Sequence, residues 1–118
     1  MTPQQIMDGM KDKNRMLSQK NDELLKLSEK RAQAERDYNI AVAQATLSLK
    51  SNGNAITTID KLVKGDRVVA DLKYALDVSD GVYKACLESI RDIRTAIDCY
   101  RSLLTWMRAE MTIGTPEP

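Results

Sequence analysis

Residues 69–111, VADLKYALDVSDGVYKACLESIRDIRTAIDCYRSLLTWMRAEM, decide the fold. Steps of three and four residues pick out Val69, Leu72, Leu76, Ser79, Tyr83, Cys86, Ile90, Ile93, Ile97, Tyr100, Leu104, Met107 and Met111. All but Ser79 are apolar, and the alternation never slips over about six heptads. A strand cannot run that long and a loop would lose the phase. The stretch therefore predicts one continuous helix, 66–111, holding a single seam against a partner. Ser79-Asp80-Gly81 is its weakest point, but the heptad passes through unshifted, so continuity is expected there too.

Upstream, a second heptad runs through Ile6, Met10, Lys13, Leu17, Lys20, Leu24, Leu27, Arg31, Ala34, Tyr38, Ala41, Ala45 and Ser48. It predicts a helix over 3–50, opened by a capping box in which Thr2 and Gln5 exchange hydrogen bonds around Pro3. Lys13, Lys20 and Arg31 interrupt this seam and are expected to lay their stems along it with the charge in water. Gly9 is expected to weaken the first turns. Ser51-Asn52-Gly53-Asn54 stops the helix, because Gly and Asn accept left-handed backbone. A short helix over 58–64, capped by a threonine and ended by Gly65, completes a connector of 51–65. Asp66 then caps the long second helix. Gly114, Pro116 and Pro118 predict a disordered tail over 112–118.

Two long helices joined by a compact connector fold back as an antiparallel hairpin, making the chain one all-α domain. With the connector centred near residue 58, position i should face about 116 minus i. The second helix carries more apolar surface than one partner covers. Val68, Ala75, Val82, Ala96 and Leu103 each precede a seam residue by one step, so the stripe is three positions wide per heptad. That width predicts a homo-oligomer, dimer or tetramer, closing a helical bundle. A groove for another protein's helix is the alternative.

Composition narrows the function classes. Charged residues make up 30% and aromatic residues 4%, which suits long helices. The formal net charge of +1 gives no strong pull toward nucleic acid or an anionic membrane. No apolar run is long enough to cross a bilayer, and the N-terminus reads as no signal peptide, so a cytoplasmic location is expected. Histidine is absent, leaving no general base near neutral pH. Cys86 on the seam and Cys99 beside it, on one helix, stand too far apart to bridge. No enzyme, metal or cofactor is expected.

Arg94, Arg101 and Arg108 recur by heptads along one edge, a row that could track a phosphate backbone. The hairpin arithmetic instead places Arg94 near Asp22 and Glu23, and Arg108 near Asp8, predicting interhelical ion pairs. Nucleic acid is accordingly disfavoured as a partner. Trp106 is expected to anchor against Ile6, Met7 and Met10. With Met16, Met107 and Met111 these methionines read as the filling of one end of the core, or as an adaptable contact surface.

From Glu35 to Glu88 the chain resembles small uncharacterised early-region proteins of bacteriophages and prophages in Gram-positive bacteria. The likeness lies in Glu35-Arg36-Asp37-Tyr38, Lys64-Gly65-Asp66, Val69-Ala70-Asp71-Leu72-Lys73 and Tyr83-Lys84-Ala85. It implies a setting inside a bacterial host cell during phage growth, near replication and recombination functions, and supplies no active site. The expected role is a non-enzymatic, oligomeric helical interaction module contacting a phage or host protein. The alternative is an inhibitor of a host enzyme or defence complex.

Overall fold

The computed structural model describes residues 1–114, with side chains to Thr112. It contains three helices, α1 (Pro3–Ser51), α2 (Ile56–Gly65) and α3 (Arg67–Gly114), and no strand among the described residues. The fold is the expected all-α hairpin with a short helix between two long ones. α3 is unbroken through Ser79-Asp80-Gly81. It continues past the predicted end at 111 to Gly114, so the expected tail is helical over 112–114, and its remainder lies outside the described residues.

The helix ends follow from local chemistry. At the start of α1 the Thr2 N–H donates to Gln5 Oε1 at 2.9 Å and the Gln5 N–H donates to Thr2 Oγ1 at 3.2 Å. This reciprocal box satisfies two otherwise unpaired groups at the helix start. At the other end, Gly53 takes φ +81, and the Asn54 N–H and Nδ2 both donate to the Leu49 carbonyl. A side chain at 53 would be strained in that conformation.

α2 starts two residues earlier than predicted and has no threonine cap. Ala55 occupies the N-cap in extended conformation without a side-chain bond, while Thr58, inside the first turn, donates its hydroxyl back to the Ala55 carbonyl. Asp66 alone makes the next corner. Its N–H donates to the Val63 carbonyl, closing α2. Its Oδ2 accepts from the Val69 N–H at 3.1 Å, opening α3 as expected.

Contacts divide the chain into two units, Leu25–Ala85 and the combination of Met1–Leu24 with the chain from Cys86 onward. In the first, α2 inserts beside α1 and α3. Ala41, Ile59, Val63 and Val69 form the buried cluster, with Tyr38, Val42, Ala45, Leu49 and Leu72 packed around it. Ser48, predicted on the seam, is exposed, and Leu49 is half-buried in its place. The cause is α2, which packs on the last turns of α1 and turns the buried stripe toward itself. Because α2 occupies those turns, α3 meets α1 further back: Arg31 faces Asp80 and Lys73 faces Tyr38, positions that add to 111 rather than about 116. The antiparallel direction stands, but the predicted register is displaced by more than a helical turn.

In the second unit the core is Ile6, Cys86, Ile90, Ile93 and Ile97, all buried. Tyr100, Leu104 and Met107 are half-buried beside it, whereas Met111 is exposed and leaves the seam. Gly9 has a packing role that its sequence context does not show. A Cβ on it would lie 2.7 Å from Cζ of Tyr100 and 2.8 Å from its hydroxyl oxygen. The bare backbone of Gly9 is what admits the Tyr100 ring to the surface of α1. Nearby, the Cys86 thiol donates to the Lys20 carbonyl at 3.7 Å.

Candidate interaction surface

A helix that faces one partner with one stripe has no need of apolar residues beside it. In the unit Leu25–Ala85, α3 nevertheless turns Val68 and Val82 to solvent at 62% and 46% exposure, and Ala75 is exposed between them. In the other unit Leu103 is exposed at 40%, while Ala96 is half-buried. The five predicted stripe residues thus stand outside the α1–α3 seam, four of them exposed. Predicted seam residues on α3 lie inside it from Val69 to Met107.

The stripe is wider than the sequence reading made it. Val78, at 47% exposure, and Trp106, at 62%, lie three residues after Ala75 and Leu103. Trp106 is therefore not the predicted anchor of the N-terminal turns. The more covered position beside it is the half-buried Met107, and Trp106 points outward over a shallow hollow lined by Arg101, Ser102, Thr105 and Ala109. The methionines split the same way: Met10 and Met107 are half-buried, whereas Met7, Met16 and Met111 are exposed. The sequence signal for Val78 and Trp106 was the three-residue step from the stripe positions.

The arginine row makes none of its predicted cross-helix pairs. Arg101 reaches Asp98 on its own helix at 3.6 Å, and among the described residues neither Arg94 nor Arg108 is in an ion pair with Asp22, Glu23 or Asp8. The displaced register removes those partners, and Lys20, three residues before Glu23 on the same helix, holds it at 3.0 Å. Arg94 and Arg101 instead border a small cleft with Asn14, Leu17 and Ile97.

A cross-helix ion pair forms where none was predicted. Arg31 Nε lies 2.8 Å from Asp80 Oδ1, and Lys84 Nζ lies 2.8 Å from Oδ2. Oδ1 is shielded from solvent, and its close contact with Arg31 is an ion pair. The Arg31 guanidinium also sits 5.2 Å from the centroid of Tyr83, and Lys73 Nζ sits 5.5 Å from that of Tyr38. The Lys84 hydrogen bond holds the Asp80 carboxyl below its ordinary range, with the Lys84 and Arg31 charges adding to it against the opposing effect of burial. A carboxylate so held is a poor proton acceptor at neutral pH. The cluster fixes facing positions of α1 and α3 and is suited to that role rather than to acid–base chemistry.

Among the described residues no group of three or more His, Cys, Asp or Glu is placed to hold a metal ion. Nor is any helix there long and apolar enough to cross a membrane. Compared with known proteins, the chain matches no family model, no curated protein and no solved structure.

Proposed function

We propose that the chain is a non-enzymatic helical interaction module, homo-oligomeric, whose working surface is the outer stripe of α3. The observation that carries this reading is the exposure of Val68, Ala75, Val82 and Leu103 at heptad-related positions of one helix. Burying them removes apolar surface from water at about 25 cal/mol per Å², and exposed apolar residues recurring in one row support its reading as a contact surface. The absence of histidine and the charged state of Asp80 agree with a role without catalysis. The proposed setting, the cytoplasm of a bacterial host during phage replication or recombination, rests on the resemblance of residues 35–88 to phage early-region proteins.

The test is positional. A photo-crosslinking amino acid is placed in cells at Val68 or Leu103 on the stripe, and at Lys26 or Glu29 on the polar side of α1. Adducts, whether to the same chain or to another, should come from the stripe positions. Equal yields from both faces would refute the assignment of the working surface.

A further inference from the structure

α3 carries a complete second heptad beside the one that faces α1. Ala75, Val78, Val82 and Ala85 begin it, and Ala96, Cys99, Leu103 and Trp106 continue it at the same alternating steps of four and three. Ser89 and Asp92 stand between the two halves. Asp92 is the one charged residue of this register from 75 to 106, in a chain that is 30% charged. Val78, Val82, Leu103 and Trp106 are 40–62% exposed, so the register is open toward both ends, while Ser89 and Ala96 between them are half-buried. Its outer flank is small at Gly81, Thr95, Ser102 and Ala109, while the same heptad row carries Tyr74 at one end and Glu88, held by Arg91 on its own helix, beside the centre.

We propose that this face pairs with the same face of a second copy, α3 against α3, antiparallel and two-fold symmetric. The inference rests on the reading of the α3 stripe as the working surface and names its occupant. Antiparallel heptads place each first core position opposite a second one. In the register where facing positions add to 181, Ala75 of one copy meets Trp106 of the other and Val78 meets Leu103. Val82 then meets Cys99, and Ala85 meets Ala96. Large faces small in the outermost layer, and symmetry repeats every layer twice. At the centre Ser89 faces Asp92, and its hydroxyl donates to the carboxylate.

Charge excludes the other arrangements. A parallel pair sets Asp92 against Asp92 of the other copy, like charge on like charge. Sliding the antiparallel pair by one heptad sets Asp92 on Val82 in one direction. In the other direction it sets Asp92 on Ala96 and Val78 on Glu110. Each leaves a carboxylate against an apolar group without a partner. The extent is also sufficient. Residues 75–106 rise roughly 48 Å as helix, and two helices in contact over that length bury on the order of 1,000–1,500 Å², within the range of specific interfaces.

The experiment uses the full chain and the variants Val82→Cys and Val82→Glu. Light scattering across a hundredfold range of concentration should give twice the 13.3 kDa chain mass. Mild oxidation with copper phenanthroline should convert Val82→Cys into a covalent dimer joined from position 82 to Cys99, as read by peptide mapping. The unaltered chain should remain uncrosslinked, because its two Cys99 thiols lie roughly 25 Å apart along the pair in this register. Val82→Glu, substituting a residue outside the α1–α3 seam, should give a monomer with unchanged helical circular dichroism. A monomeric mass for the unaltered chain at every concentration would overturn the second copy as occupant, and a Cys99-to-Cys99 bond in a dimer would overturn the antiparallel register. Stripe-specific adducts to a different protein, with a monomeric mass, would overturn this inference while leaving the α3 stripe as working surface in place.

Discussion

Gly9→Ala should fail to give the stabilisation that a helix interior normally gains from it. In an open helical position, replacing glycine by alanine contributes about 1 kcal/mol. At Gly9 the new methyl would sit 2.7 Å from Cζ of Tyr100, inside any real carbon–carbon contact. The ring must swing away or α1 must move off α3, and overpacking of this kind costs about 1–3 kcal/mol. The two effects oppose, so the net change should run from about zero to 2 kcal/mol destabilising. Removing the ring isolates the clash. In a Tyr100→Ala background, Gly9→Ala should stabilise by the full ~1 kcal/mol, giving a coupling of roughly 1–3 kcal/mol across the double-mutant cycle. Urea unfolding followed by far-ultraviolet circular dichroism at one fixed protein concentration measures all four corners. A Gly9→Ala variant about 1 kcal/mol more stable than the parent in the presence of Tyr100 would show that the ring does not rest on that backbone.

Three other outcomes follow from positions already described. Ile93→Asp, at a site 6% exposed, should cost at least about 4 kcal/mol, since it combines lost burial with an unpaired charge, and a melting curve matching the parent would remove Ile93 from the seam. Asp66→Ala deletes the acceptor for the Val69 N–H and should cost about 1 kcal/mol in denaturant unfolding, with a loss below a few tenths counting against its role as the α3 cap. For Asp80 the folded carboxyl titrates below its ordinary 3.8, so its pairing stabilises the fold above that pH and is lost as pH falls through the lowered value. Carboxyl NMR titration should show Lys84→Met moving that pKa upward, and an unmoved midpoint would remove Lys84 as its main cause.

The α3 seam was legible because burial and spacing are the same fact on a helix that keeps one partner. Val69 through Met107 follow the three-four step and stay covered. The register between the helices was not legible, because it depends on how far α2 folds back. The heptads alone do not say that Leu49 would replace Ser48 once Ile59 and Val63 pack on the end of α1. From that displacement follow the lost partners of Arg94 and Arg108. Gly9 misled for a related reason. Read by itself a helical glycine is a cost, and its alignment with the Tyr100 ring is what offsets that cost. Asp80 hid within Ser79-Asp80-Gly81, where it read only as part of the weakest point of a continuous helix, although Lys84 four residues on and Arg31 on the first seam supply its partners.

The distribution of exposed apolar residues separates the two long helices in a way that bears on where function lies. α1 also exposes large apolar side chains: Met7 at 47%, Met16 at 41%, Leu25 at 72%, Ile40 at 49% and Leu47 at 66%. Ile40 and Leu47 stand one heptad apart with the exposed Ala43 between them, a run of two turns, and scattered exposure of that extent is ordinary on a protein surface. The positions flanking the first seam of α1 are otherwise mainly polar, including Lys26, Glu29, Lys30 and Gln33, so they form no continuing stripe. On α3 the exposed residues recur at heptad-related intervals and on one side of the seam, while the arginine row occupies the other side. A hairpin held only by its own seam would place no constraint on that outer flank, and polar residues there would cost it nothing. Uncharged side chains from Thr95 through Ala109 in that flank, on a helix whose other edge is arginine-rich, fit a requirement imposed from outside the hairpin. Contact through α3 is the requirement we propose.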